Sequence, residues 1–336
     1  MIVRPHQHWF LRLFDWHGSV LSNIVFRLSL NLLMSLIAIF GYPWYSTFGI
    51  HLTTAPFSLV GVSIAIFLGF RNNASYARFL EARTLWGSLH ITQRSLLRQI
   101  KSMRGVSEEQ VREFTGLLLA FCWCLKHRLR KTDVQADLQR LLPANWHSAV
   151  LHHPMPTSQI LVCLSEWLAL RRDEGLVSDI VWQSIDENLN QLSAILGGCD
   201  RIASTPIPFA YSLILHRTVY LFCTLLPFAL VADLHLMTPL VSMFISYTFL
   251  SLEALAEELE HPFGTAPNHL PLDALCVTIE RNLKAMNGAA TGTTAAGCAF
   301  QFDVISSDYP TNAHTPDPTM RQACPLCRDQ NRDRRC

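Results

Sequence analysis

The charges of this 336-residue chain are missing in blocks, and that feature limits its fold more than any other. Four stretches are nearly free of ionisable groups. Ile24 to Trp44 holds only Arg27, and Phe48 to Phe70 only His51. Phe209 to Val231 holds His216 and Arg217, and Leu234 to Leu252 only His235. About 20 apolar residues in a helix cross a hydrocarbon core, so each stretch is long enough to span a bilayer. Only 16% of residues are charged, against about 25% in an ordinary soluble domain. This composition excludes a disordered chain. Lys+Arg 27 against Asp+Glu 26 nets +1, which also excludes a charge-driven nucleic-acid binder. Met1 to Gly18 is rich in His, Trp and Arg with no small-residue cleavage site after an early apolar run, so no cleavable signal peptide is expected.

Lys and Arg set the orientation. The connections 43–54 and 232–235 contain none, whereas Arg71, Arg78, Arg83, Arg94, Arg98, Lys101 and Arg104 follow the second stretch. The positive-inside rule then places both termini and the segment 71–205 in the cytoplasm. The chain reads as an all-α membrane protein with four transmembrane helices continuous with a helical cytoplasmic domain. Its segments are a cytoplasmic N-terminal piece (1–22), spans 1 and 2 (23–70), a cytoplasmic helical domain (71–205), and spans 3 and 4 with cytoplasmic extensions (206–264). A cytoplasmic C-terminal helix (265–288) and a tail (289–336) complete it. The tail is too poor in apolar residues to fold and is expected to be disordered.

Local signals fix several helix ends. Ser107 with Gln110 makes a capping box, and the helix it opens runs to Arg130 and Lys131. Apolar spacing predicts a helix from Thr157 to Glu174, stopped at Gly175. Another, from about Val177, is expected to stop at Gly197-Gly198, and a last one, Leu272 to Met286, at Asn287-Gly288. Pro143 to Pro156 reads as a loop. From Phe57 to about Lys101 there is no proline and the helical period persists, which predicts one unbroken helix of about 65 Å.

That helix carries two adjacent stripes. Gly61, Ala65 and Gly69 recur every fourth residue, letting helix backbones approach closely, and Val62, Ile66 and Phe70 form a bulky apolar stripe beside them. Packed through the small stripe against copies of itself, the helix turns the bulky one toward a central axis as a hydrophobic constriction. The pattern alone fits generic membrane packing, with Val62, Ile66 and Phe70 facing lipid, better than it fits a constriction.

At these residues the sequence resembles the bestrophin family. Pro56-Phe57-Ser58, followed by Phe67-Leu68-Gly69-Phe70-Arg71-Asn72-Asn73, is similar to the family's pore-helix signature. Ala82 to Gly87, Ile207 to Tyr211 and Glu257 to Gly264 resemble later family segments in the right order, so the likeness spans about residues 1–286. It implies a bacterial inner-membrane homopentamer in which five copies of the second helix surround a neck at Val62, Ile66 and Phe70. It also implies a second, cytoplasmic constriction within Ser178 to Val181, with Ile180 as the best match. Animal members sense Ca²⁺ through acidic residues after the Pro-Phe-Gly. Here Thr265 to His269 carry no carboxylate, so calcium gating does not transfer.

Other chemistry is thin. Cys324 and Cys327 form the only CxxC, with Cys336 and His314 nearby and no second pair to complete a zinc site. His147 with His152-His153 reads as a solvated loop rather than a metal site. Glu253, Glu257, Glu258 and Glu260 are expected to pair with arginines of the long helix such as Arg78 and Arg83. No nucleophile motif or phosphate loop points to an enzyme, and no cofactor is expected. The expected partners are further copies of the chain, the lipid bilayer and small monovalent ions. Apolar rings do not select sign. Asp179, repeated around a ring beside Ile180, biases the vestibule negative and favours Na⁺ and K⁺. The alternatives are an anion (chloride) channel and a secondary transporter.

Overall fold

The computed structural model describes residues 20–47 and 53–288. The tail 289–336, with its Cys324 and Cys327, lies outside them. The described residues are helical, with no strand among them. The first helices are α1 (Leu21–Ser46) and α2 (Thr54–Ser102), then α3 (Glu108–Arg130), α4 (Gln135–Leu141), α5 (His147–Val150) and α6 (Pro156–Asp173). They are followed by α7 (Asp179–Ser204), α8 (Phe209–Leu234), α9 (Thr238–Glu260) and α10 (Leu272–Met286).

α2 runs unbroken for 49 residues. Its one proline, Pro56, falls in the first turn, where the missing N–H costs nothing. A single buried stripe runs its whole length through Ile64, Leu68, Ser75, Ala82, Trp86, Leu89 and Leu96. Two cores form on that stripe. The first half packs with Ile24, Val219, Phe222, Leu226 and Leu250 of α1, α8 and α9. The second packs with Phe114, Phe121, Leu164, Trp167 and Leu192 of α3, α6 and α7. Within the first bundle, buried Asn31 donates to the Cys223 carbonyl (2.7 Å) and accepts from Ser242 Oγ (3.1 Å), tying three apolar helices at one point.

The helix ends follow their local chemistry. Ser107 Oγ accepts from the Gln110 N–H while Gln110 Oε1 accepts from the Ser107 N–H, the reciprocal box that opens α3. Glu108 and Glu109 complement the positive end of the dipole, and Lys131 closes the helix in the left-handed region at φ 54°. Gly175 at φ +77° ends α6, and Gly288 at φ +79° follows α10.

Two expectations fail. The Pro143 to Pro156 stretch is not simply a loop: it holds a 3-10 turn, Ala144–Trp146, and the short helix α5. Glu113 explains the ordering, because it accepts from the indole N–H groups of both Trp146 and Trp167 at 3.0 Å. Gly197-Gly198 do not end a helix either, for α7 continues to Ser204. Gly198 is instead a point of close approach: a Cβ there would lie 3.0 Å from Cδ1 and Cδ2 of Leu85 on α2. Gly198→Leu should therefore push α7 off α2 at a cost of about 1–3 kcal/mol. A thermal melt lowered for Gly198→Leu but not for Gly197→Ala, where a Cβ meets nothing within 4 Å, is the expected result. Equal melts would show that the approach is not tight.

α7 lies antiparallel along the second half of α2. Gln99 donates to Ser184 Oγ (3.1 Å) and accepts from Asn188 (3.0 Å). Farther along, Gly198 meets Leu85, Arg201 pairs with Glu81, and Arg78 donates to the carbonyls of Ile202 (2.7 Å) and Thr205 (2.5 Å). The N-terminus of α7 is therefore held beside the C-terminal end of α2.

Candidate functional site

On the side of α2 opposite its buried stripe, three large apolar side chains have no cover. Val62 is 60% exposed, Ile66 52% and Phe70 62%, one above another at four-residue spacing. Below Phe70 the same face changes character. Asn73, Ala77, Thr84 and Arg98 are exposed along it, with Ser88 and Ser95 half-buried. One helix face thus passes from an apolar section to a wettable one.

The small stripe beside it is split. Gly61 faces its own chain, since a Cβ there would come within 3.3 Å of the Phe222 ring of α8. Ala65 is exposed, and a Cβ on Gly69 would meet nothing within 4 Å. Gly61 therefore serves packing inside the protomer, while Ala65 and Gly69 leave a shallow open flank.

Immediately after Phe70, Arg71 turns inward into a charge cluster where the two cores meet. Its guanidinium lies 4.0 Å from Glu253 and 3.5 Å from Glu260. Glu253, only 2% exposed, also takes Arg27 of α1 at 3.2 Å and His216 Nδ1 of α8 at 2.5 Å. Glu260 accepts the Ile207 N–H (3.1 Å), and Glu258 accepts from Asn23 (3.1 Å) and Asn268 (2.6 Å). Glu253 and Glu260 are paired, but through Arg27, Arg71 and His216, while Glu258 takes two amides. Arg78 is spent on backbone carbonyls instead. Arg71, which in the sequence marks orientation, is not singled out there as the partner of the acidic residues. Its signal was a charge at the edge of an apolar block, which calls for a carboxylate partner.

The second candidate constriction stands at the start of α7. Ser178 caps the helix, its Oγ accepting from the Val181 N–H, and Ile180 projects 83% exposed. Ile180 is thus not part of the protomer's core. Asp179, on which the negative bias rested, pairs with Arg172 Nη2 at 2.7 Å, and Arg172 in turn lies over the Trp182 ring. Its charge is locally offset.

Beyond Pro262 the chain folds on itself. Leu270 N–H donates to the Pro262 carbonyl (2.9 Å), and the Ala266 N–H to His269 Nδ1 (3.0 Å). The next carboxylate, Asp273, is held by Lys126 (3.1 Å) and Arg130. Burial alone would raise its pKa, but hydrogen bonds from Arg130 and Lys126 outweigh that and lower it. His147 Nε2 lies 2.8 Å from the Leu142 carbonyl, and His153 Nδ1 accepts from the Met155 N–H. Among the described residues no three His, Cys, Asp or Glu side chains are grouped to hold a metal.

The family described as bacterial and fungal bestrophin protein matches residues 1–285. The chain belongs to this bestrophin family. Among similar bestrophins is the voltage-dependent anion channel-forming protein YneE of Escherichia coli K12. It is 58% identical over 290 residues, covering 86% of this chain and 95% of that one. A protein of Ralstonia nicotianae, also named voltage-dependent anion channel-forming, is 42% identical over 306 residues, covering 90% and 100%. A solved bacterial bestrophin homologue from Klebsiella pneumoniae matches with a TM-score of 0.77 at 59% identity, covering 79% of this chain and 98% of that one. These likenesses extend over both helical layers of this bestrophin.

Proposed function

We propose that this bestrophin is the subunit of a homopentameric ion channel of the bacterial inner membrane, with four spans and both termini in the cytoplasm. The observation that carries the proposal is the exposed stripe of Val62, Ile66 and Phe70 on an unbroken helix. Bulky apolar side chains on one line, above a wettable continuation of the same face, are what five copies need to build a neck that opens into a vestibule. The helices α1, α2 and the α8–α9 hairpin are long and apolar enough to span. In this reading the 3-10 turn His235–Met237 is the outer corner between spans 3 and 4. Ile180 supplies the cytoplasmic constriction, and Ala65 and Gly69 the close contact between neighbouring copies.

The proposed cargo is a small monovalent anion. The sequence favoured cations on the strength of Asp179, but Arg172 offsets that carboxylate. The names of the relatives from Escherichia coli and Ralstonia nicotianae support the anion reading. A reversal potential in planar bilayers under a salt gradient tests it, and the expected sign is that of an anion-permeable pore. Arg172→Gln, which leaves Asp179 unpaired at the mouth, should move that potential toward the cation limit. A wild-type potential already on the cation side would overturn the anion reading, and slow saturable flux without discrete currents would overturn the channel.

A further inference from the structure

The cytoplasmic half of α2 presents two flanks on either side of the face that continues the neck. One flank is occupied by α7 through Gln99, Leu85, Glu81 and Arg78. At about 100° per residue, Arg94 falls on the opposite flank, the one that also carries Ala65 and Gly69, and Arg98 at the edge where that flank meets the neck face. Both arginines are exposed and have no hydrogen-bond or ion-pair partner among the described residues. α10 touches this flank only nearby, where Asn282 meets His90 and Lys101 donates to the Met286 carbonyl. His90 is close enough to feel that charge: burial, then Arg94 and Arg83, lower its pKa.

The matching charge is on α7. Its core face is Ile185, Leu189, Leu192 and Leu196, and Ser184 and Asn188 face α2. Glu187 is left exposed without a partner, and Asp186 has only Asn190 of its own helix, at 3.1 Å. Gln99 sits against Ser184 and Asn188, so Asp186 and Glu187 stand at the height of Arg94 and Arg98: Asp186 falls on the side of α7 away from α2, the far flank of the protomer, and Glu187, on the face of Ile180, at the inner edge of that flank. When copies close into a ring with their Phe70 faces inward, the flank bearing α7 meets the next copy's free flank at equal height.

We infer that Arg94 and Arg98 of one copy pair with Asp186 and Glu187 of the next, forming a charged seam repeated around the cytoplasmic layer. The inference rests on the pentameric reading above. It is of a kind with the charge complementarity that fixes register between protein surfaces.

Charge exchange on the full-length protein in detergent tests it, with mass by light scattering and helicity by circular dichroism. Arg94→Glu with Arg98→Glu, or Asp186→Lys with Glu187→Lys, should raise the dissociation constant about tenfold or more while helicity is kept. Combining all four substitutions should restore assembly. The neutral pair Arg94→Gln with Arg98→Gln, free of repulsion, should lose the wild type's sensitivity of assembly to added salt. Reversal variants that assemble like wild type, a four-fold exchange that does not rescue, or a neutral pair with unchanged salt response would each overturn the seam. A monomeric wild type would instead overturn the ring itself.

Discussion

Truncating Ile66 and Phe70 together to alanine is expected to raise single-channel current on the order of tenfold, which corresponds to about 1.4 kcal/mol off the permeation barrier. In the proposed ring these side chains offer a dehydrating ion no hydrogen bonds, and water leaves such a passage readily. Shortening them widens the opening and lets the ion keep more of its shell. Each single variant should give a smaller gain, and ion preference should change little because no charge is altered. Recordings from purified, pentameric variants decide the matter. A Phe70→Ala channel that conducts like wild type would mean that the exposed stripe faces lipid.

The second large effect is on stability. Glu253→Leu removes the carboxylate shared by Arg27, Arg71 and His216, and leaves the buried Arg71 with Glu260 alone. Breaking a buried pair by deleting one partner costs about 3–5 kcal/mol, since the remaining charge stays desolvated. Glu253→Gln keeps an acceptor and should cost less. Thermal unfolding in detergent gives the order wild type, Glu253→Gln, Glu253→Leu. A Glu253→Leu melt at the wild-type temperature would show that Arg71 does not depend on this residue.

What the sequence made legible was local or periodic. The Ser107–Gln110 box and the Gly288 stop are written within a few residues of the ends they set. The continuity of α2 follows from an absence of proline after Pro56. The phase of Val62, Ile66 and Phe70 follows from helical spacing, and their exposure agrees with it. What remained hidden depended on a distant element. Gly197-Gly198 reads as a stop until Leu85 is brought against it. Glu253 finds Arg27 across 226 positions of sequence, and no spacing rule connects the two. The charge of Asp179 looked free because Arg172 lies on the preceding helix, across the Gly175 turn.

The 49 residues of α2 make a rod of about 73 Å. It bears Ile66 and Phe70 within its first third and, through Gln99, the seat of α7 and Ile180 near its lower end. A rod has a pivot, and the clamp of Arg71 by Glu253 and Glu260 is the natural fulcrum. A swing of a few degrees about that point displaces the lower end by a few ångströms and the upper end by less, in the opposite sense. Phe70 lies one residue, about 1.5 Å, from that fulcrum, so such a swing would carry Ile180 with the lower end and leave Phe70 nearly still. A torque on the lower end would therefore reposition α7 while the level of Phe70 stays fixed.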